Sequence, residues 1–249
     1  MTKKPPSSGD SIREATRWRA SASGHGGAKG AAGVRESSFD PENCDELSNP
    51  GQNIAVNVGP EGFGEIMIGA EWDNVHVEQA GFFGKLLNKA TKKGVDLDIG
   101  CLYELHDGTR GTLQAFGEKF GSFDAPPYIS LSEDERTGDA EGFDEKLLIN
   151  GAHWDKIKRV LVYIYIYGGA PNWSLIKPRV FIDVPGENDL MVTLKHHNDA
   201  LDICAVGGLE NIRGSIKLTN YTEYFPGHPS MDRAFGYGLE WEDGEKRET

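Results

Sequence analysis

The chain has 249 residues, with 26 Lys and Arg against 39 Asp and Glu, a formal net charge of -13. That length suits one or two domains, and the acidic balance excludes nonspecific nucleic-acid binding, which needs a basic face for the phosphates. Glycine is abundant at 32 residues, with 12 prolines and no Gly-X-Y period, so tight turns are expected rather than a collagen-like rod.

Residues 1–46 differ from the rest. The first forty hold seven Lys or Arg, four Asp or Glu, seven Ser and six Gly, a net of +3, which leaves -16 on the remainder. Such a stretch buries too little apolar surface to offset its ordering entropy, so a flexible basic tail is expected. A short helix over Ser11 to Arg19 is the one element the tail suggests, with Ser11 as cap and Glu14 three residues on. From residue 47 to 249 the texture is that of short strands between turn residues. Strands are expected at Asn53 to Val58, Glu65 to Trp72, Asp96 to Leu105, Thr112 to Phe116, Tyr128 to Leu131 and Lys146 to Ile149. Ile157 to Tyr167 is the strongest. In it Val160, Val162, Ile164 and Ile166 share one face and Leu161, Tyr163, Tyr165 and Tyr167 the other, which predicts a central strand covered on both sides. Arg179 to Val184, Leu190 to Lys195, Asp202 to Val206 and Ser215 to Thr219 follow. Helices are expected at Phe82 to Ala90 and as a single turn at Met231 to Phe235, capped by Ser230 with Asp232 at its positive end. The sum is an all-β fold, a two-sheet sandwich with a few short helices.

Cys44, Cys101 and Cys204 are too scattered for a disulfide scaffold or a zinc site, and their odd number fits a reducing, cytoplasmic setting. Cys101 and Cys204 are expected in the core. The longest apolar run, Val160 to Tyr167, is far short of the ~20 residues of a transmembrane helix, so no transmembrane segment is expected. The sequons at Asn172 and Asn220 read as chance. His196-His197 would point to opposite sides of a strand end and so not chelate together. His228 reads as part of a rigid turn, Pro226-Gly227-His228-Pro229.

The chemistry concentrates in Glu133 to Glu145, where seven of thirteen residues are Asp or Glu. Gly138 and Gly142 bend this connection between two strands. Crowded carboxylates need solvent, basic neighbours or a bound cation. Hard divalent cations take carboxylate and carbonyl oxygens, and Ca²⁺ accepts six to eight in flexible geometry. Asp96 and Asp98 fall on one face of a strand start and could close such a site from the opposite side. A solvated acidic loop is the plainer alternative.

Asp134-Glu135-Arg136-Thr137-Gly138-Asp139-Ala140-Glu141-Gly142-Phe143-Asp144-Glu145 resembles the calcium-binding loop of the TerD-domain family of tellurium-resistance and stress proteins. Met67-Ile68-Gly69-Ala70-Glu71-Trp72-Asp73, Asp96-Leu97-Asp98, Leu148-Ile149-Asn150-Gly151 and Lys158 to Val162 look like further family hallmarks in the expected order. Tyr224 to His228 with Met231 to Gly238 looks nearer the TerA-like branch. The resemblance covers residues 47–240. It implies a β-sandwich that holds one or two Ca²⁺ ions through Asp96, Asp98, Asp134, Glu135, Thr137, Gly138, Asp139, Glu141, Asp144 and Glu145. Phe143 departs from the pattern, standing where the family has an Asp. The implied role is non-enzymatic: a stress module in a cytoplasmic or membrane-associated complex with other stress proteins. Two alternatives stand beside it. One is a calcium-bridged adaptor at an anionic membrane surface, peripheral at its inner face. The other is a hydrolase using paired carboxylates, for which no apolar pocket is evident to raise one pKa.

Overall fold

The structure is a computed structural model, and it describes residues 18–20, 44–59, 62–73, 96–115, 117, 119–132, 145–168 and 173–243. Its strands are β1 (Trp18–Ala20), β2 (Asp45–Leu47), β3 (Asn53–Val56), β4 (Glu65–Glu71), β5 (Asp96–Leu105), β6 (Arg110–Gln114), β7 (Gly121–Ser122) and β8 (Ile129–Leu131). They continue with β9 (Glu145–Asn150), β10 (Ile157–Gly168), β11 (Arg179–Asp183), β12 (Leu190–Thr193), β13 (Ile203–Ile212), β14 (Ser215–Phe225) and β15 (Trp241–Asp243). A six-stranded sheet runs β3-β14-β13-β10-β5-β6, and a seven-stranded sheet runs β2-β12-β11-β4-β9-β8-β7. All neighbours are antiparallel except β12 and β2. The expected all-β sandwich is therefore present.

β10 sits inside its sheet, between β13 and β5. Its Val160, Val162, Ile164 and Ile166 enter the main core with Ile66, Ile68, Leu147 and Ile149 of the opposite sheet. Each such side chain contributes about 1.5–3 kcal/mol by leaving water. The other face of β10, Leu161, Tyr163 and Tyr165, is buried too, in a second cluster with Leu102, Ile203, Ala205, Phe225, Met231 and Tyr237. Above it lies helix α2 (His228–Phe235), following the one-turn α1 (Trp173–Ile176). The sandwich thus gains a third, C-terminal layer on the outside of the six-stranded sheet.

That layer departs from expectation at its start. Helix α2 begins at His228, with Gly227 in the cap position and Pro229 in the first turn, so Ser230 is interior and caps nothing. It ends at Gly236, whose φ of 67° is the left-handed conformation glycine adopts freely. Asp232 is not at the positive end. Its carboxylate accepts hydrogen bonds from the Gly238 and Leu239 amides and from Trp241 Nε1, tying the helix to the returning chain. The layer is fastened below by guanidinium groups. Arg159 donates to the Phe235 and Gly236 carbonyls and stacks over the Tyr237 ring, and Arg110 donates to the Tyr237 carbonyl. Both arginines, with Lys158, converge on the buried Glu104, at 3.0, 2.6 and 2.8 Å for Arg110, Arg159 and Lys158.

Other expectations need adjustment. β13 and β14 run on past Val206 and Thr219, where the sequence suggested ends. The 3₁₀ helix over Gly151–Lys156 was not expected. It starts where Gly151 donates its amide to the Gly64 carbonyl at 2.9 Å. A Cβ at Gly151 would strike that carbonyl and the Phe63 side chain. Gly151→Ala should therefore destabilise by about 2–3 kcal/mol, read as a melting temperature lower by roughly 4–12 °C. Trp18 and Arg19 lie in strand β1, paired with β15, rather than in a helix. The rest of the Ser11 to Arg19 helix, most of the N-terminal tail and the Phe82 to Ala90 helix lie outside the described residues. Cys101 and Cys204 are fully buried, and burial pushes the Cys101 thiol up to about 12 and that of Cys204 further. Asn220 is buried as well, donating to the Leu47 carbonyl and accepting from the Thr222 hydroxyl, which withdraws its sequon from the surface.

Candidate metal centre

Strand alternation along β5 sends Leu97, Ile99 and Cys101 into the main core. Asp98 falls on the other face, with Leu102, and is only 5% exposed. β6 accompanies β5 as far as the pair Gly100–Gln114 and no further. The edge of β5 beyond that pair needs another hydrogen-bond partner. Glu145, the first residue of β9 in the opposite sheet, supplies it. Its Oε2 accepts the Ile99 amide at 2.6 Å, and the residue is 5% exposed. One acid from each sheet is thus buried at the start of β5.

Tyr165 feels the charge of both. It is the cross-strand partner of Asp98 on β10, and its ring lies in the second cluster. Its hydroxyl is buried without a well-formed hydrogen bond. Burial first, then the charges of Asp98, Tyr163 and Glu145, push this phenol far above its ordinary range. It therefore stays protonated, and it registers both carboxylates at once. The sequence pointed to Asp98 and Glu145 but not to Tyr165. Alternation along β10 gives the face of Tyr165, but its place opposite Asp98 comes from the register with β5.

The acidic segment connects β8 to β9. These strands pair through Ile129–Ile149, Ser130–Leu148 and Leu131–Leu147. The Ser132 amide donates to the Lys146 carbonyl, and the Lys146 amide to Ser132 Oγ. The strand flanks expected from sequence are those observed, and Glu145 is the loop's last acid. Asp134, Glu135, Thr137, Gly138, Asp139, Glu141 and Asp144 lie outside the described residues, and of Asp96 the backbone alone is described, paired with Gly168. Among the described residues no group of three or more His, Cys, Asp or Glu is placed to hold a metal. What they contribute is two buried carboxylates, the hard oxygen donors that suit a hard divalent cation. A protonated phenol beside them can donate a hydrogen bond and offers no competing charge.

Other candidates resolve differently. A surface cleft of about 260 Å³ is lined by Ser174, Lys177, Pro178, Thr193, Leu194, Lys195 and His197, with none of the carboxylates in its wall. His196 and His197 are exposed and lie beyond the end of β12, not on it. Glu104 is an acid that sequence reasoning passed over. A lone carboxylate in the apolar run Cys101 to Leu105 signals a buried ion pair. Burial alone would raise its pKa, but hydrogen bonds from Lys158, Arg159 and Arg110 outweigh that and hold it at about 2.

No family model matches this chain. The chain is 37% identical over 185 residues to the tellurium resistance protein TerA of an Alcaligenes species, a match covering 74% of this chain and 53% of that protein. The chain thus spans about half the length of this curated relative. Identity at that level across three quarters of the chain supports its kinship with the tellurium-resistance proteins.

Proposed function

We propose that this chain is a calcium-binding, non-enzymatic stress-response module of the tellurium-resistance type, working in a complex with other proteins in the cytoplasm. One observation carries the reading. Asp98 and Glu145, drawn from opposite sheets, are buried around one phenol where the densest acidic segment of the sequence ends. Two buried carboxylates acting on the same phenol are each costly to keep charged unless a cation or a proton joins them. The acids and oxygen donors of the loop, Asp134, Glu135, Thr137, Gly138, Asp139, Glu141 and Asp144, would complete the coordination together with Asp96. In this reading β5 and β9 fix two ligands, Asp98 and Glu145, at the base of the acidic segment.

A cation that binds only the folded state stabilises it by RT ln(1 + [L]/Kd), about 2.7 kcal/mol at a hundredfold excess over Kd. The expected result is a melting temperature raised by roughly 5–10 °C in Ca²⁺, with a much smaller rise in Mg²⁺, which prefers to keep its waters. A flat response to Ca²⁺ would overturn the site.

A second reading is favoured by the charge split, +3 on the first forty residues against -16 on the rest. A calcium-bridged adaptor at an anionic membrane surface would use both, the tail directly and the acidic body through the ion. Among the described residues no helix is long and apolar enough to cross a membrane. Calcium-dependent sedimentation with phosphatidylserine vesicles decides it. Sedimentation that ignores Ca²⁺, or is absent with the tail intact, dismisses the adaptor.

A further inference from the structure

We infer that the C-terminal layer, from α2 to β15, is an acid-operated cover, and that protonation of His228 lifts it from the six-stranded sheet to bare the aromatic face beneath.

His228 is completely buried, and among the described residues neither ring nitrogen has a hydrogen-bond partner. Its imidazole lies edge-to-face against Tyr163 and Tyr165 of β10, at 5.2 and 5.4 Å, and stacks on Trp241 of β15 at 5.2 Å. A neutral imidazole tolerates such an aromatic box because it carries no net charge. A protonated one adds a charge and a second N–H where no acceptor stands. The π faces offset a part of this at most. The nearby acids are engaged elsewhere: Asp232, on the same helix, with Gly238, Leu239 and Trp241, and Glu104 with Arg110, Lys158 and Arg159. Asp98 and Glu145 act on the Tyr165 hydroxyl and make no bond to the imidazole. Burial accordingly holds His228 at about 3 instead of 6.5.

The cover can open without the sandwich. Its apolar contacts form a cluster separate from the core between the sheets. Asp232 ties helix and returning chain into one unit, which guanidinium bonds to the Phe235, Gly236 and Tyr237 carbonyls fasten to the six-stranded sheet. In the open state His228 binds its proton near 6.5, and in the closed state only near 3, so acid favours opening. The effect is absent above pH 6.5. It grows about tenfold per pH unit below, to roughly a hundredfold in the opening equilibrium at pH 4.5.

Amide hydrogen exchange on the full chain, corrected for intrinsic rates, tests this. Between pH 7.5 and 4.5, protection across residues 228–239 should fall about a hundredfold while β10 and β13 keep theirs, and His228→Phe should abolish the fall. An unchanged α2, an equal loss in the sandwich strands, or the same loss in His228→Phe would overturn the inference. An NMR titration of the wild-type imidazole needs no variant. A midpoint near 6.5 in the folded protein would overturn it as well, and a midpoint below 4 supports it.

Discussion

Glu104→Gln should lower the unfolding free energy by about 3 kcal/mol and the melting temperature by roughly 6–12 °C. Glu104 is 3% exposed and receives Arg110, Lys158 and Arg159. Removing its charge leaves three cations facing one another, one of them, Arg159, only 25% exposed. Arg159 and Arg110 also carry the C-terminal layer, so the loss spreads from a single ion cluster to α2 and its aromatic floor. The sign of the pH dependence follows from a folded-state pKa of about 2 against 4.5. The stabilisation is complete above pH 4.5 and is lost as pH falls toward 2. Urea denaturation at pH 7, 4 and 3 reads it: wild type loses stability across that interval more steeply than Glu104→Gln, and the two converge in acid. Equal slopes, or a variant within 0.5 kcal/mol of wild type at pH 7, would contradict the assignment of Glu104 as the anchor; here 0.5 marks roughly the level of an ordinary surface substitution.

Asp98→Asn should abolish the calcium-dependent rise in melting temperature. At a hundredfold excess of Ca²⁺ over the wild-type Kd, the gap between wild type and variant should widen by about 2.7 kcal/mol relative to calcium-free buffer. The substitution keeps the shape and burial of the side chain and removes one unit of charge, so a packing defect would appear equally in both buffers. Glu145→Gln should behave similarly with an added calcium-independent cost of about 1 kcal/mol, because Glu145 also accepts the Ile99 amide from across the sandwich. Thermal melts with and without Ca²⁺ separate the two effects.

Much of the sandwich was legible because strand alternation in this chain is strong. β5 has the bounds that alternation predicted, and β10 buries its two faces in two different clusters, as its apolar residues on both sides required. The errors have physical causes. The expected strand stops at Val206, yet β13 runs on through Gly207 and Gly208, where the Thr219 carbonyl and the Tyr221 ring of β14 come too close for a Cβ. The expected strand from Ser215 stops at Thr219, yet β14 continues through Asn220, whose side chain finds partners inside the protein. His228 resembles turn punctuation between two prolines, and local sequence gives no hint of the tyrosines and tryptophan that enclose it. At the candidate site, period-two alternation put Asp98 on one face of β5 and the family resemblance singled out Glu145, while the burial of both appears only in the fold. Tyr165 and the Glu104 cluster depend on cross-strand register, which one sequence does not display.

Calorimetric titration of the full chain with Ca²⁺, with Mg²⁺ as control, is the most direct measure of the proposed site. Saturable binding of one or two Ca²⁺ ions is expected, weaker by two orders of magnitude or more in Asp98→Asn, with little heat from Mg²⁺. No saturable Ca²⁺ binding by wild type, or affinity unchanged when Asp98 loses its charge, would contradict it.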